Sequence, residues 1–418
     1  SFFENFLRIR GLTPKDIAEV SFNELADPFD FGQMKKAIAR VEKAKENNER
    51  VMIFGDYDLD GMSGSSQLFF TFKALRLETS YRLPSRADGY GLSKKFIDEA
   101  KENNVSVFIT TDCGVSNFAE IEHANNLGID VIITDHHEIP EKVPPAVAIL
   151  HPLLKDETFP DKDLTGAGVA WFFCAGLLRH FWGAKKSRNF EEELLEMAIL
   201  GTIADCGKLR GENRKITLLG LKKLKTTRHE GLQKLLEISR TNPDYITAET
   251  IAFFLAPRLN AAGRIAHPNI SLELLLGNKH RAEELELLNR KRQEMVQNYL
   301  LEAEEMIKDQ RDIPAFVLRS EHWEAGVIGL ISGRLAEKYA RPAVVMTKKG
   351  ERFTASCRGP EDFHFAHTFR QIDNKNPKIF LGFGGHAQAA GFSIEVDNFD
   401  NFCRLFLEEV IENRGTDV

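Results

Sequence analysis

Three aspartates alternate in the string GDYDLDG, Asp56, Asp58 and Asp60, directly after the apolar run VMIF. They stand where a buried strand should end and turn toward a helix, and on an extended segment alternate side chains point the same way. Crowded carboxylates repel one another. Without a counter-charge some must take up protons, whereas hard divalent cations relieve the repulsion through oxygen ligands. Asp112 ends a later apolar run, VFITTDCG, and Asp135, His136 and His137 end the next, VIITDHH. A mixture of carboxylate and imidazole suits Mn²⁺ or a similar first-row ion, with Mg²⁺ as the alternative. Asp205 in GTIADCG follows a helical run and could reach back to the same place. A single Asp after a strand is commonly a turn or cap residue. Three strand ends carrying the same chemistry point instead to a shared site, because open parallel sheets gather ligands beyond the carboxyl ends of their strands.

A second set of residues suits phosphate. LGFGGHAQAAGF places Gly384 and Gly385 beside His386; glycines let backbone N–H groups approach an anion, and the imidazole can donate to it. APRLNAAGR brings Arg258, Asn260 and Arg264 into one short segment, a set able to hold phosphate oxygens, and Arg86, Ser356 and Arg358 are further candidates. His322 and Trp323 could stack on bases or equally fill a core. The basic tracts KKSR, LKKLKTTRH and NRKR could line a path for a polyanion, although charge runs are usually solvated faces.

The elements that must position these residues follow from periodicity. Between residues 51 and 150, apolar runs (VMIFG, TSYRL, VSVFITT, DVIITD, AVAIL) alternate with helix-length segments, which predicts βαβ units and a mostly parallel sheet. From 166 to about 254 the period becomes helical. Residues 281–310 contain no Gly or Pro and are rich in helix formers, so a long connecting helix is expected there. A smaller α/β unit is expected to follow. The predicted organisation is an α/β parallel-sheet domain with a helical extension over 1–280, the connecting helix over 281–311 and a second α/β domain over 312–418.

Composition narrows the class. The chain has 418 residues, is 43% hydrophobic and carries a net charge of −7, which is unlike the basic footprint of most nucleic-acid binders; two bound divalent cations would bring that charge to about −3. Five cysteines, odd in number and never spaced C-x-x-C, indicate neither a disulfide framework nor a zinc knuckle and suit a reducing cytoplasm. The longest uncharged apolar stretch, residues 169–178, is about half the length needed to cross a bilayer, so no membrane association is expected.

Taken together, GDYDLDGMS, TTDCG, TDHHE and GTIADCGKLRGENR resemble the four motifs of the DHH phosphoesterases, and GGHAQAAG resembles the DHHA1 signature. The lead-in RGLTPKDIAEVSFNELADPFDFGQMKKAIARV, LPSRADGYGLS, LTGAGVAW and APRLNAAGRI are similar to the RecJ branch in particular, so the resemblance covers nearly the whole chain. The resemblance implies a two-metal cluster held by Asp56, Asp58, Asp60, Asp112, His136 and Asp205, with Asp112 as the bridging carboxylate. It also implies that His137 contacts the scissile phosphate or supports the cluster, that Asp135 orients a histidine, and that the arginines, Asn260, Ser356 and the glycine turn grip the strand. The implied activity is 5′ to 3′ hydrolysis of single-stranded DNA to mononucleotides in DNA repair and recombination. Single-stranded DNA is the implied partner, with a single-strand-binding protein or a helicase alongside, and the expected state is monomeric. A short-oligonucleotide or cyclic-dinucleotide phosphodiesterase, and a catalytically dead replication scaffold, are the rival readings. Members of the resembled branch usually continue into an OB-fold, so the sequence is expected to be either cut or a shorter natural form, and a first residue that is Ser suggests a trimmed chain.

Overall fold

The computed structural model describes residues 2–11, 13–14, 18–86, 88–89, 91–308, 313–385 and 387–414. The chain divides into two compact units, Ser1–Leu287 and Leu288–Val418. In the first, five strands β1 (Arg50–Gly55), β2 (Thr79–Arg82), β3 (Val105–Thr111), β4 (Asp130–Thr134) and β5 (Ala148–Leu150) form one sheet in the order β2-β1-β3-β4-β5. All of its pairings are parallel. Such strands must be covered on both faces. Successive residues accordingly enter different cores: Val51, Ile53, Val107, Ile109 and Ile132 pack in one, and Met52, Phe54, Phe108, Val131 and Ile133 in the other.

The first helix, α1 (Phe2–Ile9), precedes α2 (Met34–Glu46), and α3 (Leu59–Ala74), α4 (Lys94–Glu102) and α5 (Phe118–Asn126) cross over between strands. Helix α3 packs unusually close to the sheet because its sequence is small on that side; a Cβ at Gly64 would lie 2.1 Å from Thr111 Oγ1. The helical extension contains α6 (Gly166–Trp182), α7 (Ala184–Ala204), α8 (Gly211–Leu224) and α9 (Glu230–Ile238). After it come α10 (Ala256–Ile265) and α11 (Asn269–Leu275), and then the long helix α12 (Arg281–Met306).

The second unit holds a mixed sheet in the order β6-β7-β8-β10-β9, built from β6 (Phe316–Ser320), β7 (Ala343–Lys349), β8 (Arg352–Arg358), β9 (Gly382–Gly385) and β10 (Ala389–Glu395). Only β6 and β7 pair in parallel; the others are antiparallel. Helices α13 (Ala325–Tyr339), α14 (Phe365–Lys375) and α15 (Phe399–Arg414) accompany it. Periodicity had not separated β9 or α14. The former is nearly all glycine and carries almost no side-chain pattern. The latter lies in a segment, HFAHTFRQIDNK, whose apolar positions are only Phe, Ala and Ile. Most phenylalanines of this unit form one cluster around Phe369, Phe392, Phe402 and Phe406, while Phe316 packs in a separate core with Trp323.

Candidate metal centre

The strands of the first sheet end in register. Gly55 is opposite Thr111, Thr111 opposite Thr134, and Thr134 opposite Leu150. One residue further along, Asp56 N–H donates to Thr111 O (3.3 Å), Asp112 N–H to Thr134 O (2.9 Å) and Asp135 N–H to Leu150 O (3.2 Å). The three aspartates are therefore the first residues past three neighbouring strands, at one carboxyl edge, as open parallel sheets lead one to expect.

Asp58 and Asp60 reach that edge differently from an extended segment. Asp58 is the N-cap of α3, its Oδ1 accepting N–H bonds from Asp60 (2.9 Å) and Gly61 (3.3 Å). Asp60 already lies in the first turn of the helix. Its two oxygens accept from Gly166 N–H (2.7 Å) and Ala167 N–H (2.9 Å) at the start of α6. The alternating spacing is thus carried by a strand end, a cap and a helical turn. Capping won because short carboxylates at a helix start satisfy N–H groups that otherwise have no partner.

Around them, His136 Nε2 lies 3.0 Å from Asp112 Oδ1, 3.7 Å from Asp60 Oδ2 and 3.8 Å from Asp205 Oδ2. Asp205 caps the C-terminus of α7, which brings it back to the sheet edge. His137 Nδ1 is 2.8 Å from Asp135 Oδ1, which also accepts the backbone N–H of His136 and His137. The other Asp135 oxygen accepts Val115 N–H at 3.0 Å. His151 was not singled out in the sequence; it is fully buried and its Nε2 lies 2.8 Å from His137 O. Its Nδ1 accepts Leu153 N–H, a local turn contact that a lone HP dipeptide does not announce.

Among the described residues, three sets of ligand atoms each lie within 4.8 Å of one another: Asp56, Asp58 and Asp112; Asp60, His136 and Asp205; and Asp112, His136 and His137. Electrostatics separates the members. Burial, and then the charge of Asp58, pushes the Asp56 carboxyl well above the usual range. Burial and Asp58 likewise carry Asp60 up to about 7, against the two N–H donors. Burial and then Asp60 raise Asp112 well above the usual range, and burial with Asp60 takes Asp205 to about 7. Asp135 goes the other way. Burial would raise it, but the hydrogen bond and charge of His137 outweigh that and hold it at about 2. Burial opposes protonation of His137, yet the bond to Asp135 lifts it to about 9. Burial lowers His136, so its imidazole is neutral, the form a metal requires.

This donor set fits divalent cations. Asp56 Oδ1 is buried with no hydrogen-bond partner among the described residues, and the carboxylates raise one another's pKa for want of positive charge. Oxygen and imidazole donors of this kind suit Mn²⁺ and Mg²⁺. The backbone is also committed here. Asp112 adopts φ 61°, a left-handed conformation uncommon outside glycine that Asp tolerates better than most residues.

The remaining candidates divide. Arg86 Nε donates to Gly263 O (2.9 Å) and its guanidinium sits 4.5 Å from the Tyr57 ring centre, between the first two aspartates of the motif. Asn260 Oδ1 accepts Leu59 N–H (2.9 Å), which uses the amide oxygen to tie α10 to α3. Arg258 is held by Glu286 (Nε to Oε2, 2.7 Å) and Phe254 O (2.6 Å), an ion pair that the sequence did not announce. Arg264 follows Gly263 at the partly open end of α10. In the second unit, Ser356 and Arg358 share the half-buried face of β8, where a Cβ at Gly329 would lie 2.8 Å from Ser356 Oγ. Ser356 is in register with Gly391 and Gly391 with Gly384, which leaves a strip of very small side chains across three strands. Gly384 and Gly385 thus belong to a strand rather than to a turn, and Gly385 (φ 132°) must be glycine because a Cβ would lie 2.4 Å from Ala389 O. His386 lies outside the described residues. Trp323 is 2% exposed with Nε1 donating to Glu302 (2.9 Å), so it fills the core and cannot stack on a base. No described helix is long and apolar enough to cross a membrane.

Residues 50–202 match the model of the DHH family, N-terminal domain, and residues 312–412 that of the DHHA1 domain. The chain is 35% identical over 400 residues to the single-stranded-DNA-specific exonuclease RecJ of Bacillus subtilis, covering 94% of this chain and 49% of that protein. It is 34% identical over 424 residues to the protein of the same name from Escherichia coli, covering 96% of this chain and 73% of that one. It is also similar to the crystal structure of RecJ from Thermus thermophilus in complex with Mn²⁺, with a TM-score of 0.83 and 27% identity over 97% of this chain and 58% of that one. The chain thus spans about half the length of the first of these relatives. With the acidic strand ends, both domain matches and this extent of identity in hand, the chain belongs to the RecJ family of DHH–DHHA1 proteins.

Proposed function

We propose that this chain is a divalent-metal-dependent exonuclease that degrades single-stranded DNA from its 5′ end to mononucleotides. The observation that carries the proposal is the meeting of Asp56, Asp58, Asp60, Asp112, His136 and Asp205 at one sheet edge, with a buried carboxylate oxygen on Asp56 that no donor among the described residues satisfies. Those six would hold two ions, Mn²⁺ in preference to Mg²⁺, and Asp112 would be the carboxylate shared between them, since of the two residues that belong to two ligand sets, Asp112 and His136, it alone has two oxygens to offer. Bound divalent ions supply Lewis acidity toward the phosphate and a water of lowered pKa.

The chain's own residues do the rest. Asp135 fixes the His137 ring through the 2.8 Å contact to Nδ1, so the imidazole would be oriented to donate toward the scissile phosphate. His151 and the backbone N–H bonds to Asp135 hold the turn that carries both histidines. Arg86 and Arg264 would steady the sugar-phosphate backbone beside the carboxylates. Ser356, Arg358, Gly384, Gly385 and His386 would bind phosphate from the second unit, where Arg358 is half-buried and its neighbours are small. An unpaired substrate also explains the expected partners, a single-strand-binding protein or a helicase that exposes the strand. The five free cysteines fit a reducing cytoplasm.

The test is product analysis of 5′- and 3′-end-labelled single strands with Mn²⁺ and with Mg²⁺. Mononucleotides released first from the 5′ end, and a resistant blunt duplex, are expected. Intact single strands in both metals would end this reading.

A further inference from the structure

Pitch changes in the middle of residues 248–265. A short α-turn, Ala248–Thr250, gives way to a π-helical segment, Ile251–Leu255, before α10 begins. Pro257 explains the change. It has no N–H, and its ring crowds the carbonyl four residues back, so the chain widens and Ala256 N–H bonds to Ile251 O, five back. Bulges of this kind recur at functional sites.

The widened turn carries Phe253 and Phe254, which are 72% and 50% exposed. Apart from three in α1, these are the exposed phenylalanines among the described residues. Two adjacent aromatic rings facing water are costly unless something covers them. Their place suggests what does. Phe253 and Phe254 are exposed and Pro257, Arg258, Asn260 and Arg264 partly so, which makes this the more open side of the run, while Leu255, Ala256, Leu259, Ala261, Ala262 and Gly263 are buried.

The far end of that more open side is fastened to the backbone of the segment that carries Asp56, Asp58 and Asp60. Asn260 accepts Leu59 N–H between Asp58 and Asp60, and a Cβ at Gly263 would come within 2.5 Å of Tyr57 O. At about 1.5 Å per helical residue, the aromatic pair lies on the order of 10 Å along the run from Asn260. Arg258 bonds the Phe254 carbonyl and Glu286, which holds the turn rigid. Aromatic faces stack on every base with little preference, which suits an enzyme that must accept each base in turn.

We propose that Phe253 and Phe254 form a stacking platform for the bases of the bound strand, roughly two or three nucleotides from the scissile phosphate by the 3.4 Å rise of stacked DNA. The platform rests on the nuclease reading above. It would set how tightly a strand is held without taking part in bond cleavage.

Binding is measured by fluorescence anisotropy in an Asp112→Asn background, on oligonucleotides with one abasic site moved along the strand, and rates are measured in the unmodified background. The parent should lose affinity roughly 5- to 100-fold at one or two abasic positions. The Phe253→Ala/Phe254→Ala variant should bind all of the abasic series equally, with a raised KM and an unchanged kcat on long strands. Phe254→Trp should restore the dependence, and Phe254→Leu should not. A flat abasic profile in the parent, or a change in oligomeric state with unaltered DNA affinity in the double variant, would overturn the platform. If the parent cleaves no single strand at all, it is the nuclease reading that fails, whatever the abasic profile.

Discussion

Gly166 stands so close to Asp112 that a Cβ on it would fall 2.6 Å from the aspartate's own Cβ, while its N–H donates to Asp60 at 2.7 Å. One glycine therefore joins the start of α6 to two carboxylates, one just past a strand end and one in the first turn of α3, and it can do so only because it lacks a side chain. Gly166→Ala should force α6 away from the sheet edge. The expected cost is roughly 1–3 kcal/mol of stability from overpacking, together with a loss of turnover of at least about 10-fold, as when a residue supporting a metal ligand is removed. Thermal unfolding and hydrolysis of a labelled single strand check both. Turnover at the parent rate would show that the contact does not position the carboxylates.

Asp112→Asn should lower hydrolysis by at least about 100-fold, above the 10- to 100-fold typical of residues that only support a ligand. Asn is the informative replacement because it tolerates the φ of 61° that Asp112 adopts, whereas Ala would add strain. The metal-free protein should remain folded, since the substitution removes charge from a repelling cluster. Circular dichroism and a Mn²⁺ titration separate loss of metal from loss of fold.

Metal-free protein should be less stable at pH 8 than at pH 5. Asp60 and Asp205 both titrate near 7 when folded, raised chiefly by burial. A carboxyl whose folded pKa lies above its unfolded value of about 3.9 favours the folded state most at low pH, and that contribution is lost as pH rises through about 7. Asp205 contributes less because its side chain is 35% exposed. Mn²⁺ should then raise the melting temperature more at pH 8 than at pH 5, and Asp60→Asn should flatten the metal-free profile. Burial holds His151 at about 4, which adds stability as pH rises and opposes the trend, so the comparison with Asp60→Asn decides: a chelator profile that this substitution leaves unchanged contradicts the assignment.

Arg258→Ala should act on stability before it acts on substrate. Its ion pair with Glu286 is largely sheltered, the two side chains being 15% and 14% exposed. Removing it should cost roughly 1–3 kcal/mol, and Glu286→Gln in the same chain should recover part of that. Chemical denaturation of the two single variants and the double variant measures the coupling. A KM that rises with no change in stability would return Arg258 to the phosphate-binding set.

The chain of letters alone determined which class of fold forms and which acidic and imidazole side chains meet at its sheet edge. Apolar runs followed by Asp, and the switch from strand to helix spacing after residue 166, reflect local preferences that hold wherever the segment is placed. Three matters were decided only in three dimensions. Asp60 meets Gly166 and Ala167 across 106 residues or more of chain, so its alignment depends on helix docking rather than on alternation. Arg258 and Trp323 were open to either a ligand or a structural role, and the acids that claimed them, Glu286 and Glu302, are separated from them by 28 and 21 residues. His151 carried no signal, because a buried imidazole bonded to one backbone carbonyl leaves no pattern along the chain. Periodicity is written by the nearest few neighbours, whereas the partner of a charged or polar group is chosen by whichever distant segment packing brings within hydrogen-bond reach.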